Sequence, residues 1–257
     1  MELSMTRSTI HVTAVLITLT TVVGAASPVP STDDQISTDA GPIAVHPIEH
    51  ATFVMEWSGK TIAVDPVGGA LAFTAFPKAD LMLITHAHGD HLSVETVAVL
   101  SGPSTTIIGP AAVADKFPEG SRQKISALGN GESVEWEGIV VEAVPMYNIT
   151  AGREKFHPKG RGNGYVLTMG GKKIYIAGDT EDIPEMRALE GIDAAFICMN
   201  LPYTMDVKAA ADAVLEFRPK IVYPYHYRGK GGMSDLEAFR AIVEKNPAIE
   251  VRLLEWY

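Results

Sequence analysis

Three histidines and one aspartate fall within six residues in the segment Thr85-His86-Ala87-His88-Gly89-Asp90-His91. Imidazole nitrogen and carboxylate oxygen at that density form a donor set for divalent metals. Alternation along a short extended segment sends His86 and His88 to one side, and Ala87 and Gly89 add no bulk, so both rings can converge on one cation. Gly89 permits a turn that most residues resist, after which Asp90 and His91 can face a second cation. The spacing therefore predicts two metals rather than one. The bland alternative is a surface loop that happens to be rich in histidine, and the density of the pattern argues against it.

The apolar run ahead of the motif, 81–84, fits a strand buried on both faces. It sets the histidines on the loop at its C-terminal end, where sites collect. Earlier strands are predicted over 44–48, 51–57 and 60–64, with Ser58-Gly59 as a hairpin turn and Asp65-Pro66 ending the third. After the motif, Ser93 caps a helix to Leu100, with Glu95 in its first turn and Gly102-Pro103 as the stop. A strand over 105–108, a helix over 111–116 and a hairpin of 133–136 with 139–144 follow. Further strands are expected over 164–169, 172–177, 193–199, 220–223 and 250–254, helices over 183–189, 207–217 and 236–244, and a mobile basic loop over 229–232. The alternating β and α order is that of an α/β domain with helices on its outer faces.

The segment from Thr85 to His91 resembles the signature of the metallo-β-lactamase fold superfamily of metal-dependent hydrolases, and the match can be followed from about His46 to the C-terminus. The resemblance implies an α/β fold of the four-layer αββα sandwich type with a dinuclear site along one edge. Glu49-His50-Ala51-Thr52-Phe53 followed by Val64-Asp65-Pro66 is similar to the opening of one branch, which includes ascorbate-6-phosphate lactonase and the phospholipase D acting on N-acylphosphatidylethanolamines. In that branch the histidine lies close to the site, so His50 is a candidate for substrate or metal contact, with a hydrogen-bonded structural role as the alternative. His46, before Pro47, reads as structural.

Many members carry a histidine directly after the strand that ends near residue 144, where this chain has Tyr147-Asn148. The next histidine is His157, in a Phe156-His157-Pro158-Lys159-Gly160 loop similar to that of a sub-branch, and it is expected to join His86 and His88 on the first metal. Gly178-Asp179-Thr180 resembles the bridging element, in which one carboxylate serves two cations; a helix-capping aspartate is the alternative. His226 matches the last histidine of the family and completes the second metal with Asp90 and His91. The loop from Asn200 to Met205 resembles one on the rim of the site, where Tyr203 either contacts substrate or packs.

Two divalent metal ions are thus implied, with zinc first among them, although iron or manganese satisfies the same donors. A water shared by two cations has a depressed pKa and is a nucleophile at neutral pH, while the cations polarise a scissile carbonyl or phosphoryl oxygen. The resemblance also implies that Asp90 is a catalytic residue, orienting that hydroxide or shuttling its proton. The reading is a metal-dependent hydrolase of an ester, lactone, amide or phosphodiester in a small or lipid-like substrate. The alternative from another class is a non-hydrolytic iron redox protein, or a metal- or ligand-binding protein, on the same fold.

Composition bounds the remainder. With 257 residues, 46% of them hydrophobic, the chain can build one large core. Acidic residues outnumber basic ones 31 to 21, and the net charge of −10 weighs against nucleic acid as a partner. Cys198 is solitary, and its apolar neighbours read as a buried strand. Residues 1–26 read as a signal peptide, with Arg7 in the n-region, an apolar run over 10–23, and Gly24 and Ala26 suiting cleavage after Ala26. Export to the periplasm or the extracellular space follows, or membrane anchoring where the segment stays uncleaved. Residues 27–41 read as a flexible linker and 42–257 as the hydrolase domain. No feature of the sequence specifies the oligomeric state.

Overall fold

The computed structural model describes Met1 and residues 33–122 and 125–257. Its first sheet takes seven strands in chain order: β1 (Asp34–Ile36), β2 (Ile43–Glu49), β3 (Thr52–Trp57), β4 (Lys60–Val64), β5 (Ala79–Leu83), β6 (Ser101–Gly109) and β7 (Ile125–Ala127). The second half begins with β8 (Ser133–Trp136), β9 (Ile139–Met146), β10 (Gly162–Met169), β11 (Lys172–Ile176), β12 (Ala194–Cys198) and β13 (Ile221–Tyr225). A small ribbon of β14 (Arg228–Gly229) with β15 (Gly232–Met233) precedes β16 (Glu250–Val251), and the second sheet runs β16-β13-β12-β11-β10-β9-β8. The helices are α1 (Gly69–Ala72), α2 (Val94–Leu100), α3 (Ala111–Ala114), α4 (Glu119–Arg122), α5 (Pro184–Arg187), α6 (Val207–Phe217) and α7 (Leu236–Val243). Both sheets share one plan: antiparallel hairpins come first, then parallel steps, β4 to β7 in one and β11, β12, β13, β16 in the other.

Alternation along the strands explains the layers. Ile62 and Val64 of β4 and Leu81 and Leu83 of β5 point into the core shared with the second sheet, whereas Ala63, Met82 and Ile84 pack the opposite face against α2 and α3 through Val97, Leu100 and Val113. Strands buried on both faces therefore read as unbroken apolar runs. Phe53 stacks on Phe196 across the two sheets at 4.4 Å, and Phe217 of α6 meets Tyr175 of β11 on the outer side. The result is the expected four-layer αββα sandwich. Ser93 caps α2 by accepting the Thr96 N–H, and Asp206 and Asp235 cap α6 and α7 in the same way.

Several expectations need correction. The linker read over 27–41 contains β1: Ile36 is buried, and the Asp34 carboxylate accepts hydrogen bonds from Tyr223 Oη and Arg252, both about two hundred residues away and invisible to local pattern. The loop expected to be mobile over 229–232 is the β14–β15 ribbon, clamped because Lys230 N–H donates to the Leu201 carbonyl and Gly229 lies too close to Leu201 for any Cβ. Gly102-Pro103 does not simply stop α2, since the chain passes from Leu100 straight into β6. The expected signal peptide, apart from Met1, lies outside the described residues. Among the described residues no helix is long and apolar enough to cross a membrane.

Candidate metal centre

Both halves deliver side chains to one edge. The loop after β5 carries His86, His88, Asp90 and His91, the loop between β9 and β10 carries His157, and the ends of β11 and β13 carry Asp179 and His226. The donor atoms fall into three overlapping groups, each within 4.8 Å: His86, His88 and His157; His86, His91 and Asp179; Asp90, His91 and His226. Asp179 lies at the middle. Its Oδ1 is 3.4 Å from both His91 Nε2 and His226 Nε2, and its Oδ2 is 3.4 Å from His157 Nε2.

A second layer of groups orients the rings. His91 Nδ1–H donates to Asp65 Oδ2 at 2.8 Å, and Thr85 donates to the same carboxylate from its backbone N at 2.7 Å and its Oγ1 at 2.8 Å. With the Thr85 hydroxyl proton committed to Asp65, His86 Nδ1–H donates to Thr85 Oγ1 at 3.0 Å. His157 Nδ1–H donates to the Tyr203 carbonyl at 3.1 Å. In all three rings an acceptor holds the Nδ1 proton and Nε2 faces the centre, the arrangement that metal-bound imidazoles use.

Backbone geometry at the site is specific. Gly178, φ 64°, precedes Asp179, and a Cβ there would stand 2.6 Å from Met146 Sδ. Its N–H donates to the Tyr225 hydroxyl, tying the end of β11 to that of β13. Asp65, His50 and His226 also take positive φ of 44°, 53° and 45°, a costly conformation for residues with a side chain.

The donor set fits a cation. His86 Nε2 and His88 Nδ1 stand 3.0 Å apart, so two lone pairs face each other unless a proton or a metal lies between. His91 Nε2 and Asp179 Oδ1 are buried with no hydrogen-bond partner. Burial opposes the charge of Asp179, but the His226 and His91 imidazoles override it and hold the carboxyl well below the usual range. Burial likewise opposes charge on His91 and His226, yet Asp179, with Asp65 for His91, raises both above ordinary histidine. Burial lowers His86 and His157, keeping them neutral ligands. Asp90 is opposed by burial and held down to about 2 by its contact with His226.

His50 joins none of the donor groups. It sits behind His226, whose backbone N–H donates to the His50 carbonyl, and its ring lies between Arg228 at Nε2 and the Tyr257 hydroxyl at Nδ1. Burial and the His226 and Arg228 charges lower it to about 4. Tyr203 is on the rim, partly exposed, beside a cavity of about 190 Å³ that it lines with His88, Asp90, His157, Asp179 and Asn200. His46 is structural, bridging Asp33 and Glu56, and Cys198 is a buried thiol that burial pushes up to about 12.

Sequence reasoning assigned no role to Asp65, Glu181, Asn148 or Asn200. Asp65 had one available signal: a carboxylate directly after a doubly buried strand needs a partner. Glu181 accepts from Ile149 N and Thr150 N and pairs with Arg153, fixing the loop that carries His157. Asn148, which the sequence reading sets aside as a ligand, bears on the centre indirectly: its amide donates to the Tyr203 carbonyl that orients His157. Asn200 Nδ2 lies 3.2 Å from His226 Nε2.

A two-sheet α/β sandwich with a His/Asp cluster on one edge is the metallo-β-lactamase fold of metal-dependent hydrolases. The beta-lactamase superfamily domain matches residues 44–226, and the chain belongs to that superfamily. It is 33% identical over 208 residues to a UPF0173 metal-dependent hydrolase of Pyrococcus abyssi, covering 76% of this chain and 89% of that relative. A similar hydrolase of Pelotomaculum thermopropionicum is 30% identical over 216 residues, covering 80% and 93%. Among solved structures, a protein from Parabacteroides distasonis described as a metal-dependent hydrolase aligns with TM-score 0.79 and 40% identity over 88% of this chain and 99% of that one. The fold also matches Igni18, a metallo hydrolase of Ignicoccus hospitalis, with TM-score 0.69 and 23% identity over 83% and 95%.

Proposed function

We propose that the chain is a dinuclear hydrolase, with His86, His88 and His157 holding one cation, Asp90, His91 and His226 the other, and Asp179 serving both. The observation that carries this reading is the position of Asp179, whose two oxygens face opposite histidine groups at 3.4 Å. Cations bound there supply Lewis acidity and a water of lowered pKa. The chain's own groups do the rest. Asp90, ionised and with its side chain half exposed at the cavity, accepts a hydrogen bond from the attacking water and aims it. His50 keeps His226 in place through its carbonyl, which favours a positioning role over substrate contact. Tyr203 borders the small cavity and supports a contact with an ester, lactone, amide or phosphodiester of a small or lipid-like molecule. Zinc suits the His/Asp donors best, with iron or manganese as substitutes.

The experiment is a metal titration of chelator-stripped protein, read by mass spectrometry of the native chain and by turnover of simple esters and phosphodiesters. Two equivalents should bind, and turnover should require both. A chain saturating at one equivalent refutes the dinuclear reading.

A further inference from the structure

The cleft at the metal centre has two compartments with opposite character. The smaller, about 190 Å³, contains both carboxylates, Asp90 and Asp179. The larger, about 290 Å³, shares His88, Phe156 and His157 with it, and is bordered by Lys116, Lys155 and Arg161 with no acidic residue on its lining. These cations come from two segments: Lys116 just past α3, and Lys155 and Arg161 on either side of His157 in the β9–β10 loop. The first residue of that strand, Gly162, packs so closely on Met146 and His86 that a Cβ would stand 3.2 Å from His86 Cβ, which fixes the Arg161 backbone beside the metal ligands.

Such a gathering is unusual for this chain, which has 31 acidic against 21 basic residues. Other cations sit in ion pairs, among them Lys60 with Glu137, Arg153 with Glu181, Lys159 with Glu185, Lys220 with Asp193 and Arg252 with Asp34, whereas here three border one concavity that has no acidic lining. Lys116, Lys155 and Arg161 are exposed and make no ion pair among the described residues. Three like charges around one concavity repel one another until an anion enters. Met146, Phe156 and Ala112 give the compartment apolar wall, which strengthens charge-assisted hydrogen bonds to whatever sits there.

We infer that this compartment binds a non-reacting oxyanion of the substrate, a carboxylate or phosphate carried beside the scissile bond, with Lys116, Lys155 and Arg161 as its specificity-determining residues. The inference rests on the hydrolase reading of the same centre. The scissile group then lies over the compartment with Asp90 and Asp179, and the His88–His157 wall separates it from the anion. Arg161 offers a planar fork for two oxygens, and the two lysines act as point charges.

The test uses full-length, metal-loaded protein and the variant Lys116→Met/Lys155→Met/Arg161→Met. All three side chains are exposed and outside the ligand groups, so metal content should match the wild type. Calorimetric titration with methylphosphonate and with acetate should give saturable binding that is at least about tenfold weaker in the variant and weakens with added salt. Stronger binding of methylphosphonate identifies a phosphate group, and stronger binding of acetate a carboxylate. The charge-preserving variant Lys116→Arg/Lys155→Arg/Arg161→Lys should bind as the wild type does. Equal binding by wild type and Met variant overturns the inference, because metal-bound anion is common to both. Hydrolysis of matched aryl esters of butyrate, succinate and phosphonopropionate separates the two readings. No turnover of any ester, with the binding difference intact, counts against the hydrolase and leaves the anion site standing. Equal kcat/KM for all three in both proteins sinks the anion site and leaves the hydrolase.

Discussion

Changing Asp65 to Asn preserves the size of a fully buried side chain and removes its charge, and the consequence for the centre follows from the hydrogen bonds. The carboxylate accepts at both oxygens: Thr85 N–H on Oδ1, and Thr85 Oγ1–H and His91 Nδ1–H on Oδ2. An amide has one oxygen. With its nitrogen toward the Thr85 backbone, two donors collide. With its nitrogen toward His91, the ring must accept at Nδ1 and carry its proton on Nε2, the atom that faces Asp179 at 3.4 Å. A cation can then bind only after the tautomer reverts. Losing a hydrogen bond to a charged group is worth about 1.5–3 kcal/mol, or roughly 10- to 150-fold, in line with the 10- to 100-fold expected for a group behind a metal ligand. We expect the His91-containing group to bind metal about 30-fold more weakly, the His86–His88–His157 group to keep near wild-type affinity, and hydrolysis to fall with the former. Competition against a chromogenic chelator measures both affinities, with circular dichroism as the check on folding. Excess metal should restore part of the rate. Two equivalents bound at wild-type affinity with an unchanged rate would refute the tautomer argument.

Other outcomes follow from the same geometry. His157→Ala should remove about one metal equivalent and hydrolysis together, whereas Asn148→Ala, which frees the Tyr203 carbonyl, should weaken metal binding less and leave stoichiometry intact; metal analysis ranks the two. In metal-free protein His91 and His226 sit above the ordinary histidine value, so their protonation stabilises the fold below about pH 6.5 and that contribution fades as pH rises through the raised values. Metal needs the neutral rings, so the gain in melting temperature on adding metal should grow from about pH 6 to about pH 9; a gain that shrinks over that range contradicts the assignment. If residues 1–26 are a signal peptide, the mature chain should begin at Ser27 outside the cytoplasm, and N-terminal sequencing that finds a cytoplasmic chain still starting at Met1 refutes this.

Sequence carried the local parts of this molecule well. The doubly apolar 81–84 run, the Ser58-Gly59 and Glu137-Gly138 turns, and the α6 boundaries all reappear because turn chemistry and periodicity act over a few residues. The candidate donors were legible for the same reason where they form one short segment, His86 to His91, or follow a strand, Asp179 and His226, whereas His157, inside the β9–β10 loop, was reached through the family resemblance. Long-range ties were not. Asp34 reaches Tyr223 and Arg252, Asp65 reaches His91, and Asn148 reaches Tyr203, each across distant sequence that no window spans. The basic compartment was hidden likewise, because Lys116 lies far in sequence from the loop with Lys155 and Arg161 and meets it only in the folded chain.

The division of donors between the two sheets has a mechanical consequence. His86, His88, Asp90 and His91 ride on the end of β5, while His157, Asp179 and His226 ride on the second sheet. Toward the interior, the sheets are joined by apolar contacts such as Phe53 on Phe196, but at the edge they are joined by the Asn163 N–H on the Thr85 carbonyl, the Tyr165 hydroxyl on the Ile84 carbonyl, and the shared cations of the proposed centre. Metal at about a hundred times its dissociation constant then adds about 2.7 kcal/mol against opening that edge. A metal-starved chain should part from the cluster inward, with amide exchange at Thr85 and Asn163 accelerating before that of the core strands. Its lifetime in a protease-rich compartment would then rise and fall with the local supply of divalent cations.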